Sequence, residues 1–135
     1  MKQFLFFLLL LPALAFSQNT LNVSIDGVKS STGNISVALY NQEDGFLKFD
    51  RVYKSDSTLA RKGNTKLSIV DLPEGDYALA IFHDENANNI LDVNWLGIPT
   101  ETVGFSNAKM KTFGPPSFEE CVFKITSDQE IKVVF

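Results

Sequence analysis

Residues 76–104 read DYALAIFHDENANNILDVNWLGIPTETVG, a strand that is apolar on both faces followed by a loop dense in oxygen-bearing side chains. Every residue from 77 to 82 is apolar, and a strand of that kind lies at the centre of a packed sheet. Pro73 and Gly75 form a turn just before it. A buried Tyr77 needs a hydrogen-bond partner for its hydroxyl, and this corner supplies one. The stretch therefore predicts a central strand that runs into a polar loop.

Short strand patterns separated by turn residues occur on both sides of this stretch. They predict strands at residues 20–28, 35–40, 66–72, 118–125 and 130–135. The spacing of the first two indicates an antiparallel hairpin. Residues 46–60 fit either a short helical turn or an irregular strand.

Together these patterns predict an all-β fold. About seven short strands with frequent turns are typical of an antiparallel sandwich of the immunoglobulin kind. Residues 95–118 are rich in Pro and Gly and leave little room for a helix. We expect them to form a long connection, and connections of such length in a compact domain are commonly functional or fastened by something.

The first 17 residues, MKQFLFFLLLLPALAFS, have the pattern of a secretory signal peptide. Lys2 supplies the positive end, residues 4–11 the apolar segment, and Ala13-Leu14-Ala15 or Ala15-Phe16-Ser17 the small-residue cleavage site. A spanning helix needs about 20 apolar residues, whereas a proline ends this run early. No cysteine that would take a lipid follows it. Cleavage after Ser17 leaves a single β-sandwich domain, residues 18–135, that is secreted or periplasmic and has no further membrane span.

The charge pattern excludes one large class of partner. The formal net charge is −4, with acidic and basic side chains interspersed. Nucleic-acid binding needs a basic stripe, and the sequence has none. We therefore expect an unknown protein or glycan as the partner.

Cysteine and histidine each occur once, as Cys121 and His83. No intrachain disulfide can form, and the apolar neighbours of Cys121 predict a buried thiol. A single histidine without Cys or a second His makes a poor zinc site. We expect His83 to be a structural residue, hydrogen-bonded at the rim of the sheet.

The polar loop carries oxygen at the spacing of a calcium-binding loop. Ligands at positions 1, 3, 5, 7 and 9 of such a loop correspond here to Asp84, Asn86, Asn88, the carbonyl of Ile90, and Asp92. Water, Glu85 or Glu101 can complete the shell. With two assured carboxylates, the affinity for Ca²⁺ falls in the weak range of about 10⁻⁴ to 10⁻³ M.

The same side chains also fit a purely structural role. The loop departs from an EF-hand, because Asn89 stands at the glycine position and Trp95 where the bidentate glutamate belongs. Asp and Asn alternating in a turn also bond neighbouring backbone amides in an Asx-turn network. Calcium site and turn network both remain open from the sequence.

A third interpretation is an enzyme. A hydrolase or carbohydrate-active enzyme would use Asp84, Glu85 or Glu101 near Trp95, with two carboxylates facing each other across the scissile bond at about 5 to 10 Å. If these side chains converge on an open cleft, the enzyme is favoured, whereas convergence on one buried point favours an ion or a turn network. No other catalytic motif is recognisable, so the leading interpretation is an exported, non-catalytic module.

Several motifs resemble one known family. They are Leu-Pro-x-Gly-x-Tyr at residues 72–77, HDENANNILD at 83–92, GIPTE at 97–101, GFSN at 104–107 and PSF at 116–118. This pattern resembles the bacterial secreted family called domain of unknown function 2141, in which a glycine is usual where Asn89 stands. The resemblance implies a bacterial exported protein without an assigned activity.

The Leu-Pro-x-Gly-x-Tyr strand is also similar to strands of transthyretin-like and collagen-adhesin B-type sandwiches. That similarity implies a prealbumin-like topology. The hydrolytic members of the transthyretin group rely on several His and Arg residues and a C-terminal Tyr-Arg-Gly-Ser. This chain has one His and ends in IKVVF, so their activity is not implied.

Overall fold

The computed structural model describes residues 18–135, and the signal peptide predicted at residues 1–17 lies outside the described residues. This part of the chain contains eight strands: β1 (Asn19–Val28), β2 (Asn34–Tyr40), β3 (Lys54–Leu59), β4 (Gly63–Leu72), β5 (Gly75–Asp84), β6 (Val103–Phe105), β7 (Phe123–Ile125) and β8 (Gln129–Val134). A 3₁₀ turn spans Phe49–Arg51, and one short helix, α1, spans Phe118–Cys121. Residues 46–60 thus contain both a helical turn and a strand. The prediction of an all-β fold is confirmed.

The strands form two sheets that pack face to face, so the predicted sandwich is also confirmed. One sheet has the order β4-β1-β8, and the other has the order β3-β2-β5-β6, with β7 pairing the first residues of β5. All neighbours run antiparallel except β1 and β8, which run parallel. The predicted hairpin of β1 and β2 is wrong, because residues 29–33 carry the chain from one sheet to the other. β1 and β2 each have one apolar face, and these faces can be buried in the core whether the two strands lie in the same sheet or in opposite sheets.

The core lies between the sheets and is built by alternate residues of each strand. On β5 the inward residues Tyr77, Leu79 and Ile81 are almost inaccessible to solvent. They share one cluster with alternate residues of β1, β2 and β4: Leu21, Val23, Ile25, Ile35, Val37, Leu39, Leu67 and Ile69. The Tyr77 hydroxyl donates to the Pro73 carbonyl at 2.7 Å. The central position of β5 and the corner partner of its tyrosine are therefore as expected.

The outward face of β5 is apolar too, and the long connection covers part of it. Ala78, Phe105 and Cys121 form a second buried cluster there, with Phe46 and Phe118 packed against it. The predicted burial of Cys121 is confirmed. Because both faces of β5 need cover, the connection is held against the sheet.

The strand predicted at residues 118–125 is wrong in its first half, which forms α1. The Ser117 side chain accepts a hydrogen bond from the Glu120 N–H, and the Glu120 carboxylate accepts one from the Ser117 N–H. This reciprocal capping box starts a helix, and it outweighs the apolar alternation of the segment. No helix within residues 18–135 is long and apolar enough to cross a membrane.

Candidate functional site

The loop begins at the end of β5 with a fully buried carboxylate. Asp84 lies opposite Asn34 of β2 and has no solvent exposure. Its carboxylate accepts hydrogen bonds from the N–H groups of Asn88 at 3.1 Å and of Asn89 at 2.9 Å. Asn89 has a φ of 63°, the left-handed conformation that Asn tolerates in place of Gly. Asp84 therefore turns the chain back on itself, and backbone amides engage both of its oxygens.

The exposed part of the loop converges on the carboxylate of Asp92. The Asn86 side-chain amide donates to one Asp92 oxygen at 2.7 Å, and the Asn88 side-chain amide donates to the other at 3.0 Å. The amide oxygen of Asn86 accepts from the Asn88 N–H at 3.2 Å, and that of Asn88 accepts from the Ile90 N–H at 3.0 Å. These last two bonds are Asx turns.

Glu101 closes the loop from the far side. One of its carboxylate oxygens accepts from the Glu85 N–H at 3.2 Å, and the other accepts from the Asp92 N–H at 3.1 Å. A residue of the connection thereby holds both arms of the loop at once. The sequence offers Glu101 as an optional calcium ligand or an enzymatic carboxylate, but not as this clamp, because a contact across 16 positions has no local signal.

The structure places hydrogen-bond donors against the predicted ligand oxygens of Asp84 and Asp92. The Asp84 oxygens face amides, and the Asn86 and Asn88 side chains present nitrogen to Asp92. Within residues 18–135 no group of three or more His, Cys, Asp or Glu side chains lies close enough to hold a metal ion. The arrangement is that of the Asx-turn network. The oxygen atoms of these side chains are of the kind that binds Ca²⁺, but the side-chain amides of Asn86 and Asn88 turn their nitrogen atoms, not their oxygen atoms, towards Asp92.

His83 is hydrogen-bonded, as expected, but it is fully buried. Its Nε2 lies 2.7 Å from the Thr32 carbonyl oxygen. Since a carbonyl only accepts, Nε2 carries a proton and donates it to this oxygen. Nδ1 has no partner in the described part of the chain, and the nearest carboxylate oxygen, from Glu85, lies 3.8 Å away. The ring serves to join β5 to the turn that follows β1.

Two of the three carboxylates of the enzyme alternative, those of Asp84 and Glu101, are held by the fold. Asp84 is buried, and Glu101 is bound to two backbone amides. Trp95 is 90% exposed, so it does not stack over them in a closed site.

A family comparison agrees with the motifs quoted above. The model of the family DUF2141, described as an uncharacterized protein conserved in bacteria, matches residues 23–133. The chain belongs to this family. No curated protein and no solved structure matches it.

The DUF2141 motif at residues 104–107 has a structural role in this chain. A side chain at Gly104 would meet Val133 of β8 at 2.9 Å. The Ser106 hydroxyl donates to the Cys121 carbonyl at 2.6 Å and accepts from the Leu79 N–H at 2.9 Å. These contacts join β5, β6, β8 and α1. The motif therefore fastens the connection to the sandwich.

Sequence reasoning missed one feature, an apolar pocket of about 200 Å³ on the outer face of the second sheet. Ala38 of β2 and Ala80 of β5, which are register partners, both line it. Residues of the connection, including Pro99, Val103 and Met110, form other walls. No pattern along the chain reveals it, because the two alanines become neighbours only through the pairing of β2 with β5.

Proposed function

We propose that this protein is an exported, non-catalytic β-sandwich module that binds a partner and whose loop at residues 84–92 holds Ca²⁺ weakly. The binding role is supported by the way in which the long connection, residues 95–118, is attached to the sandwich. It is held at Glu101 and Ser106, yet it exposes Trp95 and Phe113 almost completely. Large exposed apolar side chains on a rigid support are typical of interaction surfaces. The partner expected is a protein or a glycan.

Export is proposed from residues 1–17, whose charge, apolar run and small-residue end suit a signal peptide. The test is to express the full chain in a bacterium and to determine the N-terminus of the protein found outside the cytoplasm. We expect it to begin at Gln18. A protein that stays in the cytoplasm with Met1 in place would contradict this part of the proposal.

The non-catalytic role is supported by the use of the carboxylates. Asp84 and Glu101 bind the backbone amides that shape the loop. Removal of either carboxylate is therefore expected to alter stability, with no hydrolytic activity to lose.

Calcium binding is proposed because the loop concentrates hard oxygen donors beside Asp92. A rotation of the Asn86 and Asn88 side-chain amides by half a turn would present oxygen instead of nitrogen to a cation next to that carboxylate. The rotation breaks the two Asx turns, so Ca²⁺ competes with existing hydrogen bonds. This competition agrees with an affinity of about 10⁻⁴ to 10⁻³ M. The ion would then stabilise the junction between β5 and the connection.

Unfolding with and without calcium tests this step. At about 10 mM Ca²⁺, the stated affinity adds about 1.4 to 2.7 kcal/mol to the free energy of unfolding relative to chelator. Asp92→Asn should abolish the gain, whereas the exposed Asp50→Asn, on the 3₁₀ turn, should retain it. Trp95 fluorescence gives a second readout. Equal stability in calcium and chelator, or an equal gain in both variants, would remove calcium from the proposal.

A further inference from the structure

We propose that the pocket on the outer face of the second sheet binds a small, uncharged molecule through an aromatic ring. The inference rests on the proposed role as a binding module and adds a small-molecule ligand to the expected protein or glycan partner, but it does not depend on calcium. Of the loop at residues 84–92, Leu91 alone lines the pocket, and no carboxylate lines it.

The pocket exists because two small side chains face each other on neighbouring strands. Ala38 and Ala80 are paired across β2 and β5. Larger side chains stand around them: Phe82 follows Ala80 on the same face of β5, and Phe105 is paired with Ala80 from β6. The difference in side-chain size leaves a hollow above the two alanines. Since both point away from the sandwich core, the hollow is not a defect of core packing.

Size and lining specify the ligand. An apolar cavity of about 150 Å³ holds benzene, so a space of about 200 Å³ accommodates one ring with a small substituent. Four aromatic residues line it, which favours edge and offset contacts with a ring: Tyr40, Phe49, Phe82 and Phe105. None of the lining residues carries a charge. Because an ionised group buried without a partner is costly, the bound part is uncharged.

The surroundings favour a free small molecule over a side chain of a large partner. Gly97 and Pro99 line the pocket from one turn, and Met110 and Pro115 line it from the ends of another. The tips of these turns project into solvent with Trp95 and Phe113, which are 90% and 101% exposed. A broad protein surface would contact these tips before it reached Ala38 and Ala80 at the bottom of the pocket. A molecule of one ring is not obstructed by them.

Binding of two simple rings tests the inference. The probe is toluene, and benzoate serves as a charged ring of similar size; both are titrated by saturation-transfer NMR and by thermal unfolding. We expect toluene to bind and benzoate to bind about tenfold more weakly or less. No binding of toluene, or equal binding of both, would overturn the inference. Binding of a Phe-containing peptide without binding of toluene would assign the pocket to a protein partner and would overturn it too.

Matched variants locate the binding. Ala80→Leu fills the hollow and should weaken toluene binding about tenfold or more. Ser57→Leu adds the same side chain to the same face of the sheet on β3, outside the pocket, and should bind toluene like the wild type. If circular dichroism shows that Ala80→Leu does not fold, Ala38→Val replaces it. Wild-type affinity in the filled variant would refute the assignment. Because calcium stabilisation is measured separately, a failure here is distinguishable from a failure of the proposed function.

Discussion

At the residue scale, single buried polar side chains fasten the outer layer to the sandwich. Ser106 serves both β5 and α1 through one hydroxyl, and Asp84 satisfies two amides of the loop. An unpaired buried donor costs about 1 to 3 kcal/mol. Each of these side chains therefore specifies where a segment of the connection lies.

Cys121 provides the first prediction at this scale. Burial raises the pKa of its thiol from 9.0 to about 11, and the thiol has no solvent exposure. Since the thiolate is the reactive form, thiol reagents at about pH 8 should leave the folded protein unmodified and should label the unfolded chain quickly. Comparable labelling rates in the two states would contradict the burial.

The same thiol makes stability dependent on alkaline pH. The folded pKa of the thiol lies above the unfolded one, so its contribution to stability is complete below about pH 9 and is lost as the pH rises through about 11, by about 3 kcal/mol. Burial also raises the pKa values of Tyr40 and Tyr77, so the wild type must be compared with Cys121→Ala. Urea unfolding across this range should show a shallower decline for the variant. If stability declined equally steeply with pH in the wild type and in Cys121→Ala, the thiol would not contribute to the pH dependence.

At the element scale, the turn after β1 and the start of the loop are packed directly against each other. Gly33 has a φ of 71°, and a side chain there would lie 2.0 Å from the Asp84 carbonyl oxygen. Glu101 holds the other arm of the loop. The loop is therefore shaped from both sides by elements distant in the sequence.

Gly33→Ala should destabilise the protein more than Gly63→Ala. Both glycines have positive φ, but a side chain at Gly63 would meet nothing within 4 Å. Left-handed strain alone costs about 1 to 2 kcal/mol, which is the loss expected at position 63. The clash at position 33 should add about 1 to 3 kcal/mol, measured by urea unfolding. Equal losses would show that the contact with Asp84 is unimportant.

Two substitutions of Glu101 should lower the free energy of unfolding by different amounts. Glu101→Gln keeps the shape and one acceptor oxygen, whereas Glu101→Ala removes both acceptors for the amides of Glu85 and Asp92. We expect losses of about 1 kcal/mol and about 2 kcal/mol, respectively. Hydrogen exchange at the two amides should rise in the same order. Glu74→Ala, in the exposed turn before β5, serves as the control and should change little.

At the scale of the whole molecule, β5 joins two apolar layers. Its inward residues belong to the main core and its outward residues to the second cluster and the pocket. The sandwich therefore carries a third layer, the connection, on one side only. The inward layer should contribute most of the stability because it is fully enclosed.

Leu79→Ala tests whether the inward layer contributes most of the stability. Leu79 is completely buried in the main core, whereas Leu59 at the end of β3 is 75% exposed. The first truncation should cost about 2 to 5 kcal/mol, and Leu59→Ala should stay within about 0.5 kcal/mol. Chemical denaturation gives both values. A small loss at position 79 would mean that the two sheets are not closely packed.

The sequence by itself determined what depends on neighbours along the chain. Alternation placed most strands, the apolar run at 77–82 predicted a central strand, and the Pro-Gly turn predicted a partner for Tyr77. The clustering of Asp84, Asn86, Asn88 and Asp92 was likewise readable, because a tight turn brings alternate side chains together.

Only the tertiary structure decided which strands are neighbours and what the loop oxygens face. A period of two says which residues share a face, but not which strand lies beside them, so β1 and β2 were wrongly paired and the pocket above Ala38 and Ala80 was invisible. In the fold, the Asp84 oxygens accept from the N–H groups of Asn88 and Asn89, and Glu101 accepts from that of Asp92, a contact between residues too far apart in the sequence to leave a local signal.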